Sequence, residues 1–182
     1  MIAYQKEIIE NCINFIASEY KTKRGYYPSQ IIVYKILAKL DFASVKEKGV
    51  SCTGMTYLAL KNGPVPDELY NQDESIYTKY RTDIYQKGKV TRKDYIPVGE
   101  ADLDYLSPSQ MRNLKSIVTD FIDRKLTANE ASEESHKLNA WLRTERNKTI
   151  DYGLVFDGDI YTKPDSELTA AEERFRLNYE FA

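Results

Sequence analysis

A chain of 182 residues, 42% hydrophobic and 30% charged, has the profile of a folded soluble protein and not of a disordered one. Its length suits one domain over residues 1–182, large enough to bury about 70% of its unfolded surface. A net charge of −2 and a pI of about 5.6 speak against a general nucleic-acid binder, and no apolar run approaches the ~20 residues that span a bilayer.

The first helix is expected from Tyr4 to Glu19, where Ile8, Ile9, Cys12, Ile13, Phe15 and Ile16 recur at helical spacing. Gly25 and Pro28 interrupt it. Ser29 then reads as the N-cap of a second helix running to Lys46, whose apolarity suggests a central position. Gly49 ends that helix. Tyr57–Leu60 has strand character, and Asn62-Gly63-Pro64 closes it. Pro66 and Asp67 suit the first turn of a third helix, with Leu69, Ile76 and Tyr80 as its buried face.

Residues 81–99 read as a small hairpin around Lys87-Gly88-Lys89 or as two extended segments, with Pro97 limiting the second to a sheet edge. The fourth helix has the best-marked start. Ser107 and Gln110 make a capping box, Pro108 takes the first position, and Leu106 with Met111 can close a hydrophobic staple. Thr127 with Glu130 opens a fifth helix that should end near Leu138. Thr169 with Glu172 opens a last one carrying Phe175 and Tyr179. The stretch 143–164 between them is irregular. The predicted fold is therefore mainly α, a compact helical bundle with a small antiparallel β-hairpin or sheet insert.

Catalytic chemistry leaves little trace. The single histidine, His136, lacks metal-ligand spacing to any partner and reads as a helix-end residue hydrogen-bonding near Trp141, itself expected in the core. Cys12 and Cys52 fit no disulfide framework, and Cys12 reads as a small hydrophobe on a helix face. No phosphate-cradling glycine pattern is present. Asp157-Gly158-Asp159 reads as a turn, although two carboxylates on a loop can also bind a divalent cation. Lys21, Lys23 and Arg24 beside Tyr26 and Tyr27 read as a solvated basic loop. The fifteen tyrosines suit an interaction surface, or simply reflect a composition rich in Tyr, Lys, Ile and Asn. No cofactor is expected, the start of the chain lacks a signal peptide's apolar core, and a cytoplasmic location is expected.

One segment is more specific. Gly54, Gly63, Pro64, Val65 and Pro66, in a run from Gly49 to Tyr70, resemble the signature of the Panacea domain, the family of SocA-like antitoxins and phage-associated proteins. Leu103–Ser107 ahead of the fourth helix, and Ser135-His136 followed by Trp141, resemble further family elements. The likeness covers about residues 31–156, leaving 157–182 as a C-terminal extension with a final helix.

The resemblance implies a non-enzymatic antitoxin that neutralises a cognate protein toxin by direct binding. The family also implies an alternative, an adaptor delivering a toxin to a Clp-family protease. An enzyme reading, a metal-dependent hydrolase using Asp157, Asp159 and His136, ranks third. The motif residues Gly54, Gly63, Pro64, Val65, Pro66, His136 and Trp141 are expected to hold the fold. The candidate contacts are Tyr57, Lys61 and Asn62, on a hairpin whose edge could pair with the toxin, and Tyr26 with Tyr27 as a second patch.

Overall fold

The computed structural model describes residues 3–71, 73–88 and 90–180. Two long helices come first, α1 (Gln5–Arg24) and α2 (Gln30–Lys48). α1 outlasts its apolar stripe by more than a turn. Tyr20 is buried, Glu19 pairs with Lys23 at 2.8 Å, and Lys21, Lys23 and Arg24 sit at the negative end of the helix. α2 is apolar nearly all round and takes the central position, with α1, three of the later helices and both sheets packed against it. Ser29 stands at its N-cap position but makes no side-chain cap; its main chain instead bridges to Asp94.

After Gly49 the chain forms β1 (Tyr57–Leu60) and β2 (Gly63–Pro66), joined by Lys61-Asn62. The Gly63–Pro66 run is thus a strand in its own right, where the sequence suggested only a stop. α3 is a single turn, Asp67–Tyr70, and not the longer helix expected. Asp73 accepts from the Ser75 N–H and starts a separate 3-10 turn, Glu74–Ile76, which leaves Ile76 exposed. Tyr80 belongs to β3 (Tyr80–Lys87), which pairs with β4 (Val90–Pro97) as the predicted hairpin. Lys89 in its turn lies outside the described residues.

α4 (Pro108–Asp123) begins with the predicted Ser107–Gln110 capping box and Pro at its first turn. α5 (Ala128–Ser135) opens with the Thr127–Glu130 box. It ends earlier than expected, with the Ser135 hydroxyl bonded to the Ser132 carbonyl. A short α6, Asn139–Leu142, follows and was not legible from periodicity. α7 (Ala170–Glu180) has the predicted Thr169–Glu172 reciprocal bonds. The side chain of Tyr179 lies outside the described residues. The molecule is mainly α, with two two-stranded antiparallel sheets among the described residues. No helix among them is long and apolar enough to cross a membrane.

A polar stripe on α1 is buried, which hydrophobic spacing alone does not reveal. Glu10 accepts from the Thr78 N–H, and the Asn14 amide donates to the carbonyls of Lys79 and Val98. Asn11 accepts from the Asp102 N–H. These bonds tie the base of the β3–β4 hairpin and the loop after it to the helix.

Candidate partner-binding face

The β1–β2 hairpin sits on a buried polar knot. Lys35, on α2, is 3% exposed, and its Nζ donates to the Pro64 carbonyl at 2.9 Å. Gly63 has φ +99°, a conformation that favours glycine. A Cβ there would lie 2.1 Å from Ser135 Oγ and 3.0 Å from Lys35 Nζ. Trp141 Nε1 donates to the Leu60 carbonyl at 3.0 Å, and Arg146 donates to the same oxygen. The His136 ring stacks on Trp141 at 4.3 Å, and the Arg146 guanidinium lies 4.4 Å from the centroid of the Trp141 ring.

Gly63 to Pro66, Ser135, His136 and Trp141 are distant in sequence and converge here. Trp141 is buried, as expected. His136 differs from expectation: it stacks, and its Nε2 is buried without a hydrogen-bond partner among the described residues.

A second knot lies below the start of the hairpin. Asp41 is fully buried and accepts from the Thr53 N–H, the Thr53 hydroxyl and the Tyr57 hydroxyl. Burial pushes its carboxyl up to about 6, against the opposing pull of those donors. The bonds fix the turn through Thr53 and Gly54, whose carbonyl accepts from Gln5. Tyr57 packs edge-on against Phe42 and Tyr152.

Tyr57 is therefore not a surface contact. It is 1% exposed and its hydroxyl is occupied by Asp41. The hairpin edge was expected to display Tyr57, but the alternation of the strand turns its side chain to the inner face. The edges of this hairpin are also closed. Ala59 and Tyr57 bond through their main chains to residues 147–150. The opposite edge presents Pro64 and Pro66, which have no N–H to offer an incoming strand. The open edge belongs to β3. Register and the Val98–Lys79 bond turn the main-chain groups of Thr82, Ile84 and Gln86 away from β4, with no backbone partner among the described residues.

Lys61 and Asn62 do stand at the surface. They rim a depression of about 280 Å³ whose walls are Gln30, Tyr34, Lys35, Val65 and Tyr70. Tyr70 is exposed, and the Tyr34 hydroxyl bridges Gln30 and the Leu69 carbonyl. Burial lowers the Lys35 ammonium to about 7.

Tyr26 and Tyr27 line a separate cleft of about 570 Å³ with Lys21, Tyr85, Arg92 and Asp94. Lys21 lies 4.8 Å over the Tyr27 ring and Arg24 5.5 Å over Tyr26. The predicted basic run is thus laid against the tyrosines. Arg92 is committed to Asp94 and to the Tyr27 carbonyl.

Among the described residues, no group of three His, Cys, Asp or Glu side chains is placed to hold a metal ion. The loop at 157–159 is a turn, with Asp159 accepting from Tyr161 and Thr162, and Arg143 gripping the carbonyls of Leu154, Phe156 and Gly158.

Among family models, that of the antitoxin SocA-like, Panacea domain matches residues 33–142. No curated protein and no solved structure matches the chain.

Proposed function

The chain belongs to the SocA-like antitoxin family defined by the Panacea domain, and from that premise we propose that it neutralises a cognate protein toxin by direct binding in the cytoplasm. The observation that carries the reading is the extent of the family match. It spans Lys35, Asp41, Thr53, the whole β1–β2 hairpin, Ser135 and Trp141, which make up the two knots beneath the Lys61–Asn62 turn apart from Arg146. A turn held this firmly from below presents its side chains from a fixed backbone, at low backbone ordering cost on binding. Lys61 and Asn62 are the proposed primary contacts, with Tyr26 and Tyr27 as a second patch. One domain over 1–182 is proposed, with α7 docked on α2.

The test is co-expression with the product of the neighbouring gene, scored for growth and for co-purification. Wild-type protein restores growth and retains the toxin. Lys61→Glu with Asn62→Arg abolishes both, and Tyr26→Ala with Tyr27→Ala weakens them, at unchanged thermal stability. If wild-type protein neither rescues nor retains the neighbouring product, the antitoxin reading fails. If both double variants rescue fully, the assigned face is wrong.

A further inference from the structure

Among the described residues Lys35 has no anionic partner. Its Nζ donates once, to the Pro64 carbonyl, and no carboxylate lies within ion-pair distance among the described residues. A buried cation without a counter-charge is costly, and burying one is tolerated where a partner compensates it. The described residues do not supply that partner. The titratable or charged groups that line the two depressions Lys35 borders are Tyr34 and Lys39 on α2, Lys61 on the turn, Tyr70 on α3, and Glu134 and Lys137 at the end of α5. The single carboxylate among them, Glu134, is taken by Arg124 and Lys137.

The depression above Lys35 has no acidic residue in its lining. Its rim carries the Lys61 ammonium and the Asn62 amide, and neither side chain has a hydrogen bond or ion pair among the described residues. Uncommitted donors thus surround a space of about 280 Å³ that opens to solvent beside Tyr70. Gly63 keeps this geometry possible, since a side chain there would collide with Ser135 and the Lys35 amine.

We infer that this depression receives a carboxylate side chain of the protein partner, seated on the Lys35 ammonium and flanked by Lys61 and Asn62. The inference takes the partner to be the toxin proposed above, and so rests on that reading for the source of the carboxylate. An acidic side chain entering here completes the charge that the fold leaves open. Such charge-assisted bonds are the stronger kind, and they form only when the correct partner is seated.

The experiment has two arms. In the first, the intact protein carrying ¹³C-labelled lysine is titrated with pH in sodium acetate and in sodium chloride of equal ionic strength, with Lys35 assigned by the loss of its signal in Lys35→Met. Acetate is expected to raise the proton affinity of Lys35 about tenfold over chloride, and Lys61→Gln to reduce that effect. A Lys35 titration identical in the two salts overturns the inference, and needs no toxin to do so.

In the second arm, toxin binding is measured with Lys61→Gln and Lys35→Met. Each is expected to weaken binding at least tenfold, and one Asp→Asn or Glu→Gln change on the toxin is expected to reproduce that loss without adding to it. Lys61 is exposed, so its variant keeps the arm decisive even if Lys35→Met fails to fold. Undiminished binding by a folded variant overturns the inference. Failure of wild-type protein to bind any toxin would sink the antitoxin reading alone, while the acetate arm still decides on Lys35.

Discussion

Gly63→Ala tests the joint between the hairpin and α5. The new Cβ would stand 2.1 Å from Ser135 Oγ and 3.0 Å from Lys35 Nζ, at a φ of +99°. A left-handed conformation costs a non-glycine residue roughly 1–2 kcal/mol, and forcing a methyl into packed surroundings typically costs about 1–3 kcal/mol. The expected loss is about 2–5 kcal/mol. Ser135→Ala removes the nearer obstacle together with one hydrogen bond to Ser132, for about 1 kcal/mol.

In the double variant the hydroxyl clash is gone while the backbone strain and the Lys35 contact persist. The two changes should therefore couple by about 1–2 kcal/mol in the favourable direction. Trp141, the sole tryptophan, bonds to Leu60 beside this joint, so urea unfolding followed by its fluorescence reads the site directly. A Gly63→Ala variant within about 0.5 kcal/mol of wild type, or a strictly additive cycle, would refute the geometry.

Three further outcomes follow from the buried groups. Burial takes Lys35 from 10.5 to about 7, so the unfolded chain binds more protons across that window, and this residue's contribution makes stability rise with pH from about 7 to 10. The full gap corresponds to at most about 5 kcal/mol; Lys35→Met should gain stability relative to wild type at pH 7, the gain should shrink toward pH 10, and a pH-independent difference would contradict the assignment. Asp41 has the opposite slope: its carboxyl is raised from 3.8 to about 6, so its contribution falls as pH rises from about 4 to 6. Tyr57→Phe strips one donor from this carboxylate and should cost about 1.5–3 kcal/mol at pH 7 by calorimetry, whereas a surface role for Tyr57 predicts no loss. Cys12 and Cys52 are both fully buried, so a thiol reagent should label neither in the native protein and both in urea; rapid native labelling would place one of them at the surface.

Legibility followed the range of the interactions. Caps were read correctly at Ser107, Thr127 and Thr169 because their bonds close within three residues. The β3–β4 hairpin was visible for a similar reason, its strands being neighbours in sequence. The length of α3 was not, because the chain turns at Asp73 to meet Glu10, a partner 68 residues away from Thr78. The buried faces of Glu10, Asn11 and Asn14 depend on contacts of similar range, to Thr78, Asp102 and Lys79 in turn. Tyr57 shows the limit most clearly. Its residue type suits an interface as well as a core, and only the carboxylate of Asp41, 16 residues back, decides between them.

The motif residues and the candidate contacts divide the hairpin between them. Pro64 and Pro66 leave one edge without N–H donors, Gly63 makes room for Lys35, and the Trp141 Nε1–H is spent on the Leu60 carbonyl, so these motif groups serve the fold. Lys61 and Asn62 sit between them with every polar atom of their side chains uncommitted among the described residues. A change at Lys61 or Asn62 should therefore alter partner choice at little cost in stability, since surface substitutions away from such knots usually stay within about 0.5 kcal/mol. Lys35 belongs to both groups: the fold must bury it, yet leaves its charge unanswered. Stability alone favours an apolar residue there, and a polar group retained at that cost is where function is to be sought.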